Sequence, residues 1–154
     1  MVIPDKIEIM TDLERALRDA DAAVLAVASP YIRSTAHKMA PYVREGQKIV
    51  NVAKGIEEKT LKTLSEVIEE EIPQGDVAVL SGPSHAEEVG KGIPTTCVVS
   101  AHTRENGRLS SEYFYEPGIP GVYNTGYSRS GTWRSAEKIV IALAGRRQQM
   151  DWEY

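Results

Sequence analysis

The chain has a single cysteine, Cys97, which excludes an internal disulfide and with it the small disulfide-stapled folds. Cys97 stands in the apolar run Thr96–Val99 and reads as a small buried hydrophobe. Long apolar runs are also missing. Stretches such as Ala22–Ala28 fall far short of the roughly 20 residues that a membrane-crossing helix needs. The opening MVIPDKIEIM lacks the basic-then-apolar pattern of a secretory leader. There is no basic excess: 18 Lys and Arg face 22 Asp and Glu, and they are dispersed, which argues against nucleic acid as a partner. His37 and His102 have no neighbours at metal-ligand spacing, so no metal is expected. A Gly-x-Gly-x-x-Gly turn, the opening device of a dinucleotide-binding fold, occurs nowhere. These absences leave a cytoplasmic protein with a small-molecule partner as the expectation.

What is present is an alternation of short apolar runs and amphipathic stretches. Lys6–Met10 alternates polar and apolar residues and predicts a strand. Thr11 and Glu14 have capping-box spacing and predict a helix to about Asp19. Ala22–Ala28 is a continuous apolar run, as in a strand covered on both faces. Ser29-Pro30 opens a helix whose apolar side is Tyr31, Ile32, Ala36, Met39 and Ala40. Lys48–Ala53 predicts a strand, and Thr60–Ile72 a helix with Leu61, Leu64, Val67, Ile68 and Ile72 on one side. Strands follow at Val77–Leu80 and Thr95–Ser100, with a short helix over Ser84–Val89 and another over about Thr103–Tyr115. Strands alternating with helices give an α/β class, a parallel sheet with flanking helices.

In such sheets ligands sit at the carboxyl ends of the strands. Three strand ends here carry residues suited to that place: Ser29-Pro30-Tyr31, Lys54-Gly55 and Ser81-Gly82-Pro83-Ser84. Glycine admits close backbone approach, Ser84 can cap a helix, and the free N–H groups of a helix start attract anions. An ordinary tight turn with a cap explains the same residues. Lys54 can reach into the crevice to pair with phosphate, or simply be solvated. Tyr31 is a core or rim residue, or an aromatic surface for a cofactor ring. His85 is a candidate acid or base, or an exposed histidine at a helix start.

The segments MTDLERAL (residues 10–17), AVLAVASPYIRS (23–34), IVNVAKGIEEKTLKTLSEVIEEE (49–71) and VAVLSGPSHAEEVGKGIPTTCVVS (77–100) together resemble the N-terminal domain of NAD(P)-dependent glycerol-3-phosphate dehydrogenases. The resemblance covers about residues 3–117. It implies a partial Rossmann-like sheet, NAD or NADP as cofactor, and a phosphorylated small-molecule substrate. The implied reaction is hydride transfer between sn-glycerol 3-phosphate and dihydroxyacetone phosphate, in glycerophospholipid synthesis. Carried over by position, Lys54 contacts both cofactor and substrate, Gly82 and Ser84 contact substrate, Ala86 contacts cofactor, and Tyr31 lies on the cofactor side. Ala28 departs from the family's usual proline there. No catalytic residue is assigned. Without the Gly-rich turn and a second domain, the chain by itself is expected to be an inactive remnant or a phosphometabolite-binding module. An unpaired sheet edge would invite self-association.

Residues 118–154 do not continue the family pattern. One back-translation of Ile119–Thr132, read a nucleotide later, gives FRVYTTPDIVGVE; Trp133–Glu137 then gives LGGAL before a lysine. Both are family-like, so the expectation is a frameshift near Pro117-Gly118 and another near Lys138. Domains are thus 1–117, an incomplete NAD-binding domain, and 118–154, a non-homologous tail expected to be poorly ordered.

Overall fold

In this computed structural model, residues 6–82, 91, 97–114 and 122–124 are described. The order is α1 (Leu13–Arg18), β1 (Ala22–Leu25), a 3-10 turn (Ser29–Tyr31), α2 (Ile32–Met39), a second 3-10 turn (Ala40–Tyr42), β2 (Lys48–Asn51), α3 (Leu64–Glu71), β3 (Asp76–Ser81), β4 (Cys97–Ala101), α4 (Arg104–Tyr113) and β5 (Val122–Asn124). The strands form one sheet in the order β1-β2-β3-β4-β5. β1, β2 and β3 run parallel, with Leu25 beside Asn51 and Asn51 beside Val79. β4 is antiparallel to β3, and β5 is parallel to β4. The expected α/β sheet is therefore present and mostly parallel, with one reversed step at β4 that the alternation of elements did not reveal.

The apolar pattern explains the larger core. Leu25, Ile49 and Val77 project from the three parallel strands into a cluster with Ile32, Ala36 and Met39 of α2 and Leu64, Val67 and Ile68 of α3. A smaller cluster of Val50, Ala78 and Ala101 lies apart, with Val52, Leu80 and Phe114 packed against it. The face that α4 buries is polar or small: Asn106, Gly107 and Ser110. It is tied to the sheet by a hydrogen bond from Asn106 Nδ2 to the Asp76 carbonyl at 2.7 Å. Asp76 also accepts from Lys48 Nζ at 2.9 Å, and these two residues are direct partners in the β2–β3 register. Burial raises the Asp76 pKa, but hydrogen bonds from Lys48, Thr103 and Asn106 outweigh it, and the net direction is down.

Several boundaries differ from the sequence expectation. Lys6–Met10 is not a strand, and Ile7 and Ile9 are exposed; alternation alone makes no strand without a ladder partner. α1 is capped by Asp12, not Thr11: Asp12 Oδ1 accepts from the Arg15 N–H at 3.1 Å. Glu14 instead pairs with Arg18 one turn on. The strand expected over Ala22–Ala28 ends at Leu25, and the one over Lys48–Ala53 ends at Asn51. α3 begins at Leu64 rather than Thr60, because Thr63 and Glu66 form a reciprocal capping box. Leu61, expected on the buried side, is 73% exposed in a left-handed conformation with φ of 58°. Tyr31, also placed on an apolar side, is exposed, whereas Ile32, Ala36 and Met39 are buried. Cys97 is buried, as its apolar surroundings suggested. Val122–Asn124, within the segment expected to be poorly ordered, forms a strand beside β4. The expected helix over Ser84–Val89 lies outside the described residues.

Candidate functional site at the carboxyl rim of the sheet

Because β1, β2 and β3 are parallel, the segments after Leu25, Asn51 and Ser81 emerge on one rim. The first is Ser29–Tyr31, the 3-10 turn opened by Pro30. The second begins at Asn51, a fully buried polar residue inside an apolar run. Its side chain accepts from the Ala53 N–H at 3.1 Å and donates to the Ala53 carbonyl at 3.2 Å. A buried amide satisfied in this way turns the chain directly before Lys54. Gly55 then takes φ of 121°, a conformation other residues rarely adopt. A Cβ there would sit 3.4 Å from Ser29 Cβ and Oγ, so the segments after β1 and β2 touch.

The third segment closes the rim. Lys54 Nζ donates a hydrogen bond to the Gly82 carbonyl at 2.9 Å. The ammonium group and the Gly82 bend therefore share one location, 28 residues apart in sequence. An ammonium and a glycine bend at the ends of parallel strands can receive an anionic oxygen. Of the residues singled out from sequence, Lys54 and Gly82 are brought together, and Tyr31 stands exposed at the end of the turn after β1. Ser84, His85 and Ala86 lie outside the described residues. His37 and His102 point elsewhere: His37 Nδ1 is 2.9 Å from Glu71 Oε2, and His102 Nε2 is 2.6 Å from Glu69 Oε1. Among the described residues no group of His, Cys, Asp or Glu is placed to hold a metal, and no helix is long and apolar enough to cross a membrane.

Behind the rim lies a charged cluster that sequence reasoning passed over. Arg33, in the first turn of α2, grips Glu57 with two bonds, Nε to Oε1 at 2.7 Å and Nη2 to Oε2 at 2.8 Å. It also donates to Glu71 at 2.7 Å and Glu70 at 2.9 Å, both on α3. Thr60 Oγ1 adds a bond to Glu57 Oε2 at 2.5 Å, and Lys62 pairs with Glu70. Hydrogen bonds from Arg33, then Thr60, hold the Glu57 carboxyl down at about 2. Glu70 is lowered by Lys62 and Arg33, and Glu71 by Arg33 and His37. The Arg33 guanidinium is correspondingly raised, chiefly by its bonds to Glu57. Arg33, Glu57 and the Glu69-Glu70-Glu71 run are visible in the sequence as opposite charges, but nothing local in it says that they meet.

The residues present suit the anionic end of a phosphorylated ligand through Lys54 and the Gly82 bend. The sequence holds no Gly-x-Gly-x-x-Gly turn for a dinucleotide's pyrophosphate.

Comparison with known proteins places this rim in a lineage. The chain is 55% identical over 142 residues to a glycerol-3-phosphate dehydrogenase [NAD(P)+] of Agathobacter rectalis, covering 92% of this chain and 42% of that protein. It is 47% identical over 146 residues to the enzyme of the same name from Fusobacterium nucleatum, covering 94% of this chain and 43% of that one. The chain thus spans about two fifths of the length of these curated relatives. Matches this long in a 154-residue chain run past residue 117. Among solved structures, glycerol-3-phosphate dehydrogenase from Coxiella burnetii aligns with a TM-score of 0.72 at 24% identity, covering 79% of this chain and 37% of that one. DsGPDH of Dunaliella salina aligns with a TM-score of 0.71 at 22% identity, covering 85% of this chain and 22% of that one. Likeness at that identity establishes the fold. The family model for the NAD-dependent glycerol-3-phosphate dehydrogenase N-terminus matches residues 1–107, and the chain belongs to that family.

Proposed function

We propose that this chain supplies the substrate-side rim for a hydride transfer between NAD(P)(H) and the glycerol 3-phosphate–dihydroxyacetone phosphate pair. The contact that carries the reading is the Lys54 Nζ–Gly82 carbonyl hydrogen bond. It sets a cation and a close-approach bend on the edge where parallel sheets bind ligands. In this reading Lys54 pairs with the anionic substrate and borders the cofactor. Gly82 and Ser84 take the substrate side, and Ala86 and Tyr31 the cofactor side. Supply of glycerol 3-phosphate to phospholipid synthesis in the cytoplasm is the corresponding cellular role.

For the 154-residue polypeptide by itself we propose binding without turnover, since no Gly-rich pyrophosphate turn is in the sequence and no residue of the chain is assigned as the base. The test is direct. Purified chain is titrated with sn-glycerol 3-phosphate by calorimetry and assayed for NADH oxidation with dihydroxyacetone phosphate. Saturable binding and no oxidation is the expected pair of results. Oxidation above a no-protein control would refute the inactive reading, and absence of binding would refute the site. Residues 1–117 are proposed as one NAD-binding unit, and 118–154 as a segment altered by frame slips near Pro117-Gly118 and Lys138. Sequencing the locus tests that: a single intact frame reading GVELGGALK would show the present tail to be an artefact.

A further inference from the structure

We propose that Arg33 is the positioning residue of the rim, locking the 55–63 loop through its bidentate grip on Glu57 and so fixing the site of the Lys54 ammonium. This rests on the reading of Lys54 as a ligand-binding group.

The loop is closed on itself by the Glu57 N–H to the Lys62 carbonyl at 2.9 Å, the Leu61 N–H to the Glu57 carbonyl at 2.8 Å, and an antiparallel bridge between Ile56 and Thr63. It holds no large buried apolar side chain: Ile56 and Leu61 are both exposed. Hydrophobic burial therefore does little to pin it, and its attachment to the body of the protein is polar. Its bidentate tie is Glu57, three residues after Lys54, with Lys62 on Glu70 as a single-ammonium contact beside it. The Glu57 carboxylate receives both forks of the Arg33 guanidinium, while the Glu57 side chain is only 19% exposed. A fork on a carboxylate fixes orientation as well as distance, which a single ammonium contact does not.

Arg33 is itself placed by the same chain segment that forms the rim. It follows the Ser29–Tyr31 turn and the fully buried Ile32. The turn after β1 is thus joined to the loop after β2 twice, by Ser29 against Gly55 and by Arg33 on Glu57. Without the guanidinium, Glu57 would face Glu70 and Glu71 with, among the described residues, Lys62, His37 and Thr60 left to compensate. Repulsion among the three carboxylates would then drive the loop off α3 and carry Lys54 with it.

The experiment compares wild type with Arg33→Gln, Arg33→Lys, Glu57→Gln and the Arg33→Gln/Glu57→Gln double variant by amide hydrogen exchange. Each protein is also titrated with sn-glycerol 3-phosphate while acylation of Lys54 is followed by mass spectrometry. In Arg33→Gln, exchange over residues 55–62 should rise roughly tenfold or more while β2 and β3 hold their wild-type protection. The concentration giving half-protection of Lys54 should rise by about the same factor. Arg33→Lys keeps the charge and loses the fork, so it should fall between wild type and Arg33→Gln. The double variant should be no worse than Arg33→Gln, because the Arg33–Glu57 contact that Glu57→Gln removes is already lost in Arg33→Gln. Unchanged loop exchange in Arg33→Gln, or additive effects in the double variant, would overturn the proposal. Should wild-type Lys54 show no protection at all, the binding-site reading fails, and the loop exchange still decides whether Arg33 is the clamp.

Discussion

The helix-covered core and the carboxyl rim of the same sheet are built by different means. The core joins three parallel strands to α2 and α3 through apolar side chains, many of them fully buried. The rim is held by polar groups, one local pair and two that meet over long sequence distances: Asn51 on the Ala53 backbone two residues on, then Lys54 on Gly82 and Arg33 on Glu57. The core is redundant, since many contacts share the burial of each side chain. The rim is tied by directed bonds between particular groups, whose loss a neighbouring side chain does not make up. Changes in the core should therefore cost fold stability, and changes on the rim should cost geometry and binding with smaller losses of stability.

The largest effect follows from the core side of that contrast. Ile68 is fully buried between α3 and the sheet, and Ile68→Ala should lose about 2–5 kcal/mol in urea unfolding. A loss comparable to that of an exposed substitution would mean that α3 does not close the core.

Asn51 tests where core and rim join. Asn51→Ala strands the Ala53 N–H and carbonyl and should cost about 1–3 kcal/mol, less than Ile68→Ala. Amide exchange at Ala53 and Lys54 should rise before that of the strand does. Uniform loosening of β2 would place Asn51 with the core instead.

Next in size is the start of α3. Thr63→Ala removes the capping box and should cost about 1 kcal/mol. Helix content should fall at the first turn of α3.

Acid should produce the smallest separable change. Glu57, Glu70 and Glu71 all have carboxyl groups held below the ordinary range, Glu57 at about 2. The folded protein thus binds these protons less readily than the unfolded chain. Their contribution is fully present above about pH 4.5 and is lost as pH falls toward about 2. Loop amides should lose protection in that window while the β2–β3 ladder from Ile49–Val77 to Asn51–Val79, beyond the Lys48–Asp76 pair, retains it. The change should shrink in high salt, because the pairs are partly exposed.

The contrast between core and rim also explains what could be read in the sequence. Apolar spacing placed strands from Ala22, Lys48 and Val77 and helices from Ser29-Pro30 and over Thr60–Ile72, overlapping β1, β2, β3, α2 and α3, because burial imposes a period on a chain. Cap chemistry was legible only in part. Thr63-x-x-Glu66 stood inside a stretch that reads as helix throughout, and Asp12 competed with Thr11 for the same role. The reversed direction of β4 leaves no mark on a single strand, since Cys97–Ala101 has the same apolar pattern either way up. Lys54 and Gly82 were singled out by their places at strand ends, and the parallel register brings them within a hydrogen bond of each other. Asn51 carried a signal, a polar residue in the apolar run IVNVA, and buried amides are rarely left without partners. Arg33 carried none beyond its charge. Its partners lie 24, 37 and 38 residues away, and which carboxylates it meets is settled only by the packing of α2 against α3.

The most direct trial of the central claim is a calorimetric titration of sn-glycerol 3-phosphate into wild type and Lys54→Met, a change that keeps an unbranched stem of similar reach and removes the ammonium group. Saturable binding to wild type, weakened tenfold or more in Lys54→Met with the thermal midpoint within a few degrees, is the predicted result; roughly tenfold is what one lost charge-assisted bond to phosphate is worth. Equal affinity in the two proteins would contradict a phosphate site organised around Lys54 and the Gly82 bend.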